Sequence, residues 1–344
     1  MKALVYHGPH QLRWEDWPEQ PPEPGEAIIG VRAVGICGSD VHGYTGESGR
    51  RTPPMVMGHE ATGEVIALGP GVPEHWLGKR VIVQPFLYCG TCDHCQSGQG
   101  NLCRNRRLYG ATRNGAMAER IAVPVSNLLP LPESLSFVHG TLTEPFAVAL
   151  HAARQAGDLT GRSVLIAGGG PIGLLILVAV TRAGARQVVV TDLIEKRLAL
   201  ARDWGAAALD PRADGWRERL GRVVGSAEGE VDLAFDAVGI AATFQQALDV
   251  VRKSGTVIAV GGWQTVPINL AWVVAREIQI RGTFNYTPDD FGEARRLLAE
   301  GLVDPARLVT DIYPMAEGAE VFARLARSQG DNLKVVLTTS EVDK

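Results

Sequence analysis

The sequence predicts an α/β chain of two domains, a mainly antiparallel β domain with a barrel-like core followed by a doubly wound parallel sheet. Three observations predict it. Up to about Pro145, short Val- and Ile-containing runs at 27–34, 61–68, 80–85 and 118–123 are punctuated by Gly and Pro, the spacing of a small all-β domain. Beyond Phe146 strand-like and helix-like stretches alternate, which implies a parallel sheet with helices on both faces. At 344 residues the chain is long enough for each half to bury its own core.

Taken in order, the Pro-rich stretch 18–25 is a loop. In the second half the β-branched run 163–167 is a strand, the Leu-rich run 172–182 a helix, and 187–191, 231–236, 256–260 and 278–282 are further strands. Helices are expected over 195–204, 242–253 and 291–299, and the last strand, 333–337, need not join the parallel sheet. The stretch 163–181 carries no charge and is close to the roughly 20 apolar residues of a membrane-spanning helix. Gly168, Gly169, Gly170 and Pro171 divide it, so it reads as buried strand, tight turn and buried helix.

Composition excludes several classes of function. Hydrophobic content of 45%, charged content of 21% and a net charge of -4 are ordinary for a globular chain and give no general attraction to nucleic acid or anionic membrane. The segment from Met1 to Tyr6 turns polar at His7 without the apolar core of a signal peptide, so a cytoplasmic chain is expected.

Cys89, Cys92, Cys95 and Cys103 are separated by two, two and seven residues. Four thiolates so spaced complete the closed tetrahedral shell of a structural zinc; paired thiols or a nucleic-acid-binding zinc ribbon are the alternatives. Only Cys37 is left outside the run.

Strand 163–167 leads into Gly168-Gly169-Gly170-Pro171-Ile172-Gly173, a G-x-G-x-x-G match in the strand–turn–helix setting that gives it meaning. Gly168 permits the turn, Gly170 lets a pyrophosphate approach, and Gly173 lets helix pack on strand. The helix start at Pro171 and Ile172 presents N–H groups to phosphate. Asp192, nineteen residues after Gly173 at the end of the next strand, suits the adenosine ribose hydroxyls and repels a 2'-phosphate, which predicts NAD over NADP. Arg197 follows, within reach of the adenine or the ribose. Asp192 also suits a cap for the helix near Glu195.

Cys37-Gly38-Ser39-Asp40-Val41-His42, Gly58-His59-Glu60 and Thr143-Glu144-Pro145 complete the set. With the four-cysteine lobe and the glycine turn, in this order, they make the whole chain resemble the zinc-dependent medium-chain dehydrogenase/reductase family, the alcohol dehydrogenase superfamily, in its polyol or sorbitol dehydrogenase-like branch. The resemblance implies a GroES-like catalytic domain over 1–147 with a structural zinc lobe at 89–103, a Rossmann NAD-binding domain over 148–284, and a segment 285–344 returning to the catalytic domain. It implies NAD and two zinc ions per chain, with Cys37, His59 and Glu144 as ligands of the catalytic one. Glu60 then binds that metal directly or exchanges with water, and Asp40 accepts a hydrogen bond from the non-ligating nitrogen of His59. Ser39 and His42 match the family's proton relay. A homo-oligomer, tetramer or dimer, built by extending the Rossmann sheet edge to edge, is also implied.

The activity so implied is oxidation of a secondary alcohol, foremost a polyol or sugar alcohol, to a ketone by hydride transfer to NAD. L-threonine 3-dehydrogenase and sugar-alcohol-phosphate dehydrogenase are alternatives, the latter with Arg113 or Arg50 and Arg51 as phosphate contacts. Phe284-Asn285-Tyr286 resembles the Phe-Arg-Tyr stretch of sorbitol dehydrogenases, with Asn285 in place of the arginine. Gly43 follows His42, with Tyr44 one position later than those enzymes' tyrosine. From other classes, a catalytically silent NAD-binding protein and a zinc-lobed nucleic-acid binder stay open. The net acidity disfavours the second.

Overall fold

The structure, a computed structural model, describes residues 1–49, 51–262, 264–327 and 332–339. The chain divides into two compact units, Met1–Glu144 with Thr287–Lys344, and Pro145–Tyr286; the expected boundaries were 147 and 284.

In the first unit, the sheet that carries the site runs, in spatial order, Leu128–Pro130, Arg80–Val83, Glu60–Leu68, Glu26–Ile36, Lys334–Thr338 and Val309–Pro314, with Arg120–Pro124 also pairing along Glu26–Ile36. All its pairings are antiparallel except the last, between Val309–Pro314 and Lys334–Thr338. The strand Glu26–Ile36 is the spine: Gly35 lies opposite Glu60 on one side and Val336 on the other. A hairpin, Lys2–Gly8 with Gln11–Asp16, forms a second small sheet with Met55–Val56, and its apolar face (Leu4, Tyr6, Leu12) joins the core built on Ile29, Val31, Val34 and Val65.

In the second unit the six strands are all parallel, in the order Ala207–Leu209, Gln187–Thr191, Ser163–Ala167, Val231–Asp236, Val251–Ala259, Gln279–Gly282. Chain order reverses between Ser163–Ala167 and Val231–Asp236, the switch point beside which dinucleotides bind in such sheets. Ser163–Ala167 is wholly buried, as a parallel strand covered on both faces must be.

The expected helix 242–253 is Ala241–Val250, and the strand expected at 256–260 already starts at Val251. The cause is an irregularity: Val251 pairs with Val231 but Thr256 pairs with Leu233, and Ser254 between them takes φ 55°, so the extra residues bulge out and hide the start of the strand. The strand Ala207–Leu209 and the helix Trp216–Val224 were not anticipated. Among the described residues no helix is long and apolar enough to cross a membrane; the uncharged run resolves into Ser163–Ala167 and the helix Pro171–Arg182.

Candidate functional site

Strand Glu26–Ile36 ends where the helix Gly38–Thr45 begins, and Cys37 is the capping residue between them. Asp40, three residues into the helix, reaches back to accept the Cys37 N–H at 3.1 Å through Oδ2, as an acidic third residue does in a capping box. Its Oδ1 accepts from Arg51 Nη2 at 2.8 Å. Arg51 also donates to the carbonyls of Ser39 at 2.8 Å and Gly110 at 3.0 Å. A Cβ on Gly43 would stand 1.8 Å from Arg51 Nη1, so that glycine is what lets the guanidinium lie against the helix. Burial alone would raise the Asp40 carboxyl; the charges of His59 and Arg51 and the Cys37 N–H outweigh it and hold the group at about 2.

Glu60 opens the neighbouring strand Glu60–Leu68 and His59 immediately precedes it, and both are buried. One ligand atom each from Cys37, His59 and Glu60 lie within 4.8 Å of one another. His59 Nδ1 stands 3.4 Å from Asp40 Oδ1 without reaching hydrogen-bond geometry. The pair expected to interact thus faces each other across 3.4 Å, and Arg51 approaches the same Asp40 oxygen more closely, at 2.8 Å. Burial opposes a charge on His59, but Asp40 and Cys37 together raise its pKa well above the ordinary histidine value. Glu60 is gripped by the ammonium of Lys334, with Nζ 2.6 Å from Oε1 and 2.5 Å from Oε2. Burial pulls the Lys334 pKa down, and Glu60, helped by Cys37 and Glu144, more than offsets it and raises it. Glu144 is buried near the start of the helix Thr143–Gln155; it is not a member of the 4.8 Å group but is close enough for its charge to act on Lys334.

The four thiols of Cys89, Cys92, Cys95 and Cys103 also fall within 4.8 Å of one another. Cys89 and Cys95 Sγ are 3.9 Å apart, against about 3.8 Å for two sulfurs at tetrahedral corners of a zinc with 2.3 Å bonds. Hydrogen bonds from the Thr91 and Cys92 backbone draw the Cys89 thiol down to about 6, whereas desolvation, with the other thiols, pushes Cys95 up to about 12. A divalent cation resolves that conflict by binding all four as thiolates.

In the second unit Gly168 takes φ 103°, and a Cβ on Gly173 would stand 1.8 Å from the Gly168 carbonyl oxygen, so neither position tolerates a side chain. Gly170 caps the helix, Pro171 is its first residue and Ile172 its second, and a Cβ at Gly170 would meet nothing closer than 3.9 Å, which leaves the approach to the helix N-terminus open. Asp192 accepts from the Gly169 N–H at 2.7 Å and the Ile194 N–H at 2.9 Å. It ties the glycine turn to the turn before the helix Glu195–Asp203, whose capping residue is Ile194. Arg197 Nη1 lies 3.5 Å from Asp192 Oδ2.

Ser39 and His42 share the helix that starts at Cys37; both are half-buried, and His42 Nδ1 is 2.6 Å from Glu47 Oε2. The arginines considered for phosphate are otherwise engaged: Arg51 is buried on Asp40, and Arg113 lies over the Tyr109 ring with Glu26 at 3.7 Å. Arg50 lies outside the described residues. Tyr286 is fully buried, as a packing residue would be, and Asn285 takes φ 52°, a left-handed conformation in which Asn is several-fold enriched among non-glycine residues. Sequence reasoning missed Arg51 as a support of the site and missed Lys334 altogether. The signal for Lys334 was a lone cation at the head of the apolar run Val335–Leu337, which burial obliges to find a partner.

Two family models match the chain, the alcohol dehydrogenase GroES-like domain over residues 23–133 and the zinc-binding dehydrogenase over residues 171–300. Sorbitol dehydrogenase of Bacillus subtilis (strain 168) is 34% identical over 98% of this chain and 97% of its own length. L-galactonate-5-dehydrogenase of Escherichia coli (strain K12) is 32% identical over 98% of this chain and 99% of its own. Among solved structures, a zinc-binding dehydrogenase from Sinorhizobium meliloti 1021, bound to NADP, superposes with a TM-score of 0.90 at 32% identity, covering 98% of each chain.

Proposed function

The chain belongs to the zinc-binding alcohol dehydrogenase family, and from that premise we propose that it oxidises a secondary alcohol of a polyhydroxylated substrate to a ketone, with NAD as acceptor. The observation that carries this reading is the buried convergence of Cys37, His59 and Glu60 within 4.8 Å. One thiolate, one imidazole and carboxylate oxygen form a donor set that suits zinc.

Cys37, His59 and Glu144 are proposed to hold the catalytic zinc, with Glu60 alongside. Since His59 Nδ1 faces Asp40, Nε2 is the nitrogen left to the metal. Asp40 and Arg51 fix the imidazole and the Cys37 turn, the kind of outer support that orients ligands. When bound, zinc supplies a Lewis acid that makes a hydroxyl easier to deprotonate, and NAD supplies the hydride acceptor. Ser39 takes the proton from the substrate oxygen, and His42, paired with Glu47, passes it toward water. Cys89, Cys92, Cys95 and Cys103 hold a second, structural zinc.

The glycine turn and the N-terminus of the helix Pro171–Arg182 take the pyrophosphate. Asp192, already fixed by two backbone N–H groups, keeps a carboxylate where a 2'-phosphate would have to sit, which favours NAD although one relative is bound to NADP. Polyols are the preferred substrate class because a relative named for sorbitol and another named for L-galactonate both match along nearly their whole length. The phosphate alternative loses two of its contacts, since Arg51 and Arg113 are committed elsewhere. The test is NADH formation on a panel of polyols, aldonic acids, sugar-alcohol phosphates and threonine, each with NAD and NADP. The expected result is turnover on a polyol or aldonate with NAD preferred; bound zinc with no turnover on any of them would favour a silent NAD-binding protein.

A homo-oligomer, tetramer or dimer, is proposed on the strand Gln279–Gly282, the exposed last strand of the parallel sheet. Unpaired edges of this kind invite a second strand, and the nearby Leu270 and Val274 are 68% and 67% exposed. Sedimentation is expected to give a multiple of the 36.9 kDa chain mass; a monomer at micromolar concentration refutes it. The reading keeps the chain in the cytoplasm.

A further inference from the structure

We propose that Glu47 is a positioning residue that selects the tautomer of His42, holding a hydrogen on Nδ1 so that Nε2 is the nitrogen that takes up the proton released from the substrate oxygen. This rests on the relay reading above and adds to it a side chain that no motif singled out and a definite direction for the imidazole.

The end of the helix Gly38–Thr45 brings the pair together. His42 lies in its last turn, and the capping residue Gly46 takes φ 87°, a left-handed conformation that glycine adopts without strain. A Cβ there would also stand 2.8 Å from the Pro9 ring. The chain reverses at Gly46, and the Ser48 N–H returns to the His42 carbonyl at 3.1 Å, which also accepts from Thr45 Oγ1 at 3.2 Å. Glu47, between Gly46 and Ser48, is thereby carried back over the histidine, and its Oε2 stands 2.6 Å from His42 Nδ1. One reversal of the chain thus holds both the backbone and the ring of His42.

A carboxylate can only accept a hydrogen bond, whereas a neutral imidazole has one nitrogen that donates and one that accepts. Contact with Glu47 therefore assigns the hydrogen to Nδ1 and the lone pair to Nε2. A relay needs that choice made in advance, because an imidazole with its hydrogen on the receiving nitrogen cannot take a proton there. Once Nε2 is protonated the ring is a cation beside the carboxylate, and a proton then leaves it to water; only O–H and N–H bonds are made and broken. The side chains of His42 and Glu47 are 39% and 65% exposed, so the contact adds little to stability, and water can reach the pair to carry the proton away. That exposed setting fits a role in directing the ring better than one in holding the fold.

The test uses full-length, zinc-loaded enzyme labelled with ¹⁵N. The tautomer of His42 is read from long-range ¹H–¹⁵N correlations at a pH where the ring is neutral, and its signals are assigned as those lost in His42→Asn. Wild type should show the hydrogen on Nδ1. Glu47→Ala should shift to the Nε2–H form, which a histidine without a partner prefers. Its turnover should fall by about 10-fold, less than the roughly 10²-fold for losing a proton-transfer group outright, with the KM for NAD and the melting temperature unchanged. Glu47→Gln, whose amide oxygen accepts the same hydrogen bond, should restore the Nδ1–H form and most of the turnover, which a glutamate acting only through its charge would not allow. A wild-type ring with its hydrogen on Nε2 overturns the proposal. So does a Glu47→Ala enzyme that keeps the Nδ1–H form, or a Glu47→Gln enzyme as slow as Glu47→Ala. A His42→Asn enzyme that turns over like wild type sinks the relay reading instead, a distinguishable result because the tautomer is measured without turnover.

Discussion

Replacing His59 with alanine is expected to lower the zinc content from two per chain to one and turnover by roughly 10³- to 10⁴-fold, about 4–5 kcal/mol of transition-state stabilisation. The size follows from the role proposed for the metal, whose charge would be felt most by the substrate oxygen once its hydroxyl proton is given up, the step that must come before hydride can leave. The four-thiol lobe is a separate group of donors and should keep its ion, so the same sample carries its own control for folding. Ser39→Ala is the contrasting variant. It leaves every proposed metal donor in place and should keep both zinc ions, while turnover falls by about 10²-fold, the low end for a positioned proton-transfer group. Metal analysis with steady-state rates separates the outcomes: loss of zinc in Ser39→Ala, or full activity in a His59→Ala enzyme with one zinc, contradicts the assigned roles.

Much of the second unit was legible because its physics is local. Ser163–Ala167, Gln187–Thr191 and Val231–Asp236 are buried strands in a parallel sheet, and such strands are written as short apolar runs between turn residues. The glycine turn was legible for the same reason: Gly168 and Gly173 are needed by a close approach within six residues of chain. The start of Val251–Ala259 was not legible, because the bulge at Ser254 places Arg252, Lys253 and Ser254 inside a strand where their polarity suggests a helix end.

The proposed donors Cys37, His59, Glu60 and Glu144 were read from motifs, but the residues that brace them were not. Lys334 and Arg51 act across the sheet and across a loop, at separations of 274 and 11 residues from the carboxylates they meet, and no local pattern reports such a pairing. What the sequence did contain was the cost of leaving them alone. A lysine heading a buried strand and an arginine packed against Gly43 each need a counter-charge, and the buried acids they meet are Glu60 and Asp40, one in the proposed metal site and one beside it. The outer shell of this site is thus legible as a charge-balance problem rather than as a motif.

Arg51→Met makes that point measurable. The guanidinium is 5% exposed and Asp40 is fully buried, so removing the cation leaves a carboxylate with only the Cys37 N–H and the distant His59 Nδ1, and the carbonyls of Ser39 and Gly110 lose their donor. Breaking one side of a buried pair costs about 3–5 kcal/mol, far more than an exposed ion pair such as Arg104 with Asp93, worth about 0–1 kcal/mol. Urea unfolding of the zinc-loaded protein, followed by a probe in the first unit, should show the larger loss for Arg51→Met and almost none for Arg104→Met. Adding Asp40→Asn to Arg51→Met should recover part of the stability, since the stranded charge is gone. His59 then loses its acidic neighbour, so the recovered fold should bind the catalytic zinc more weakly than wild type. A stable Arg51→Met protein with unchanged zinc affinity would show that Asp40 and Arg51 merely fill space beneath the site, and that the orientation of Cys37 and His59 is set elsewhere.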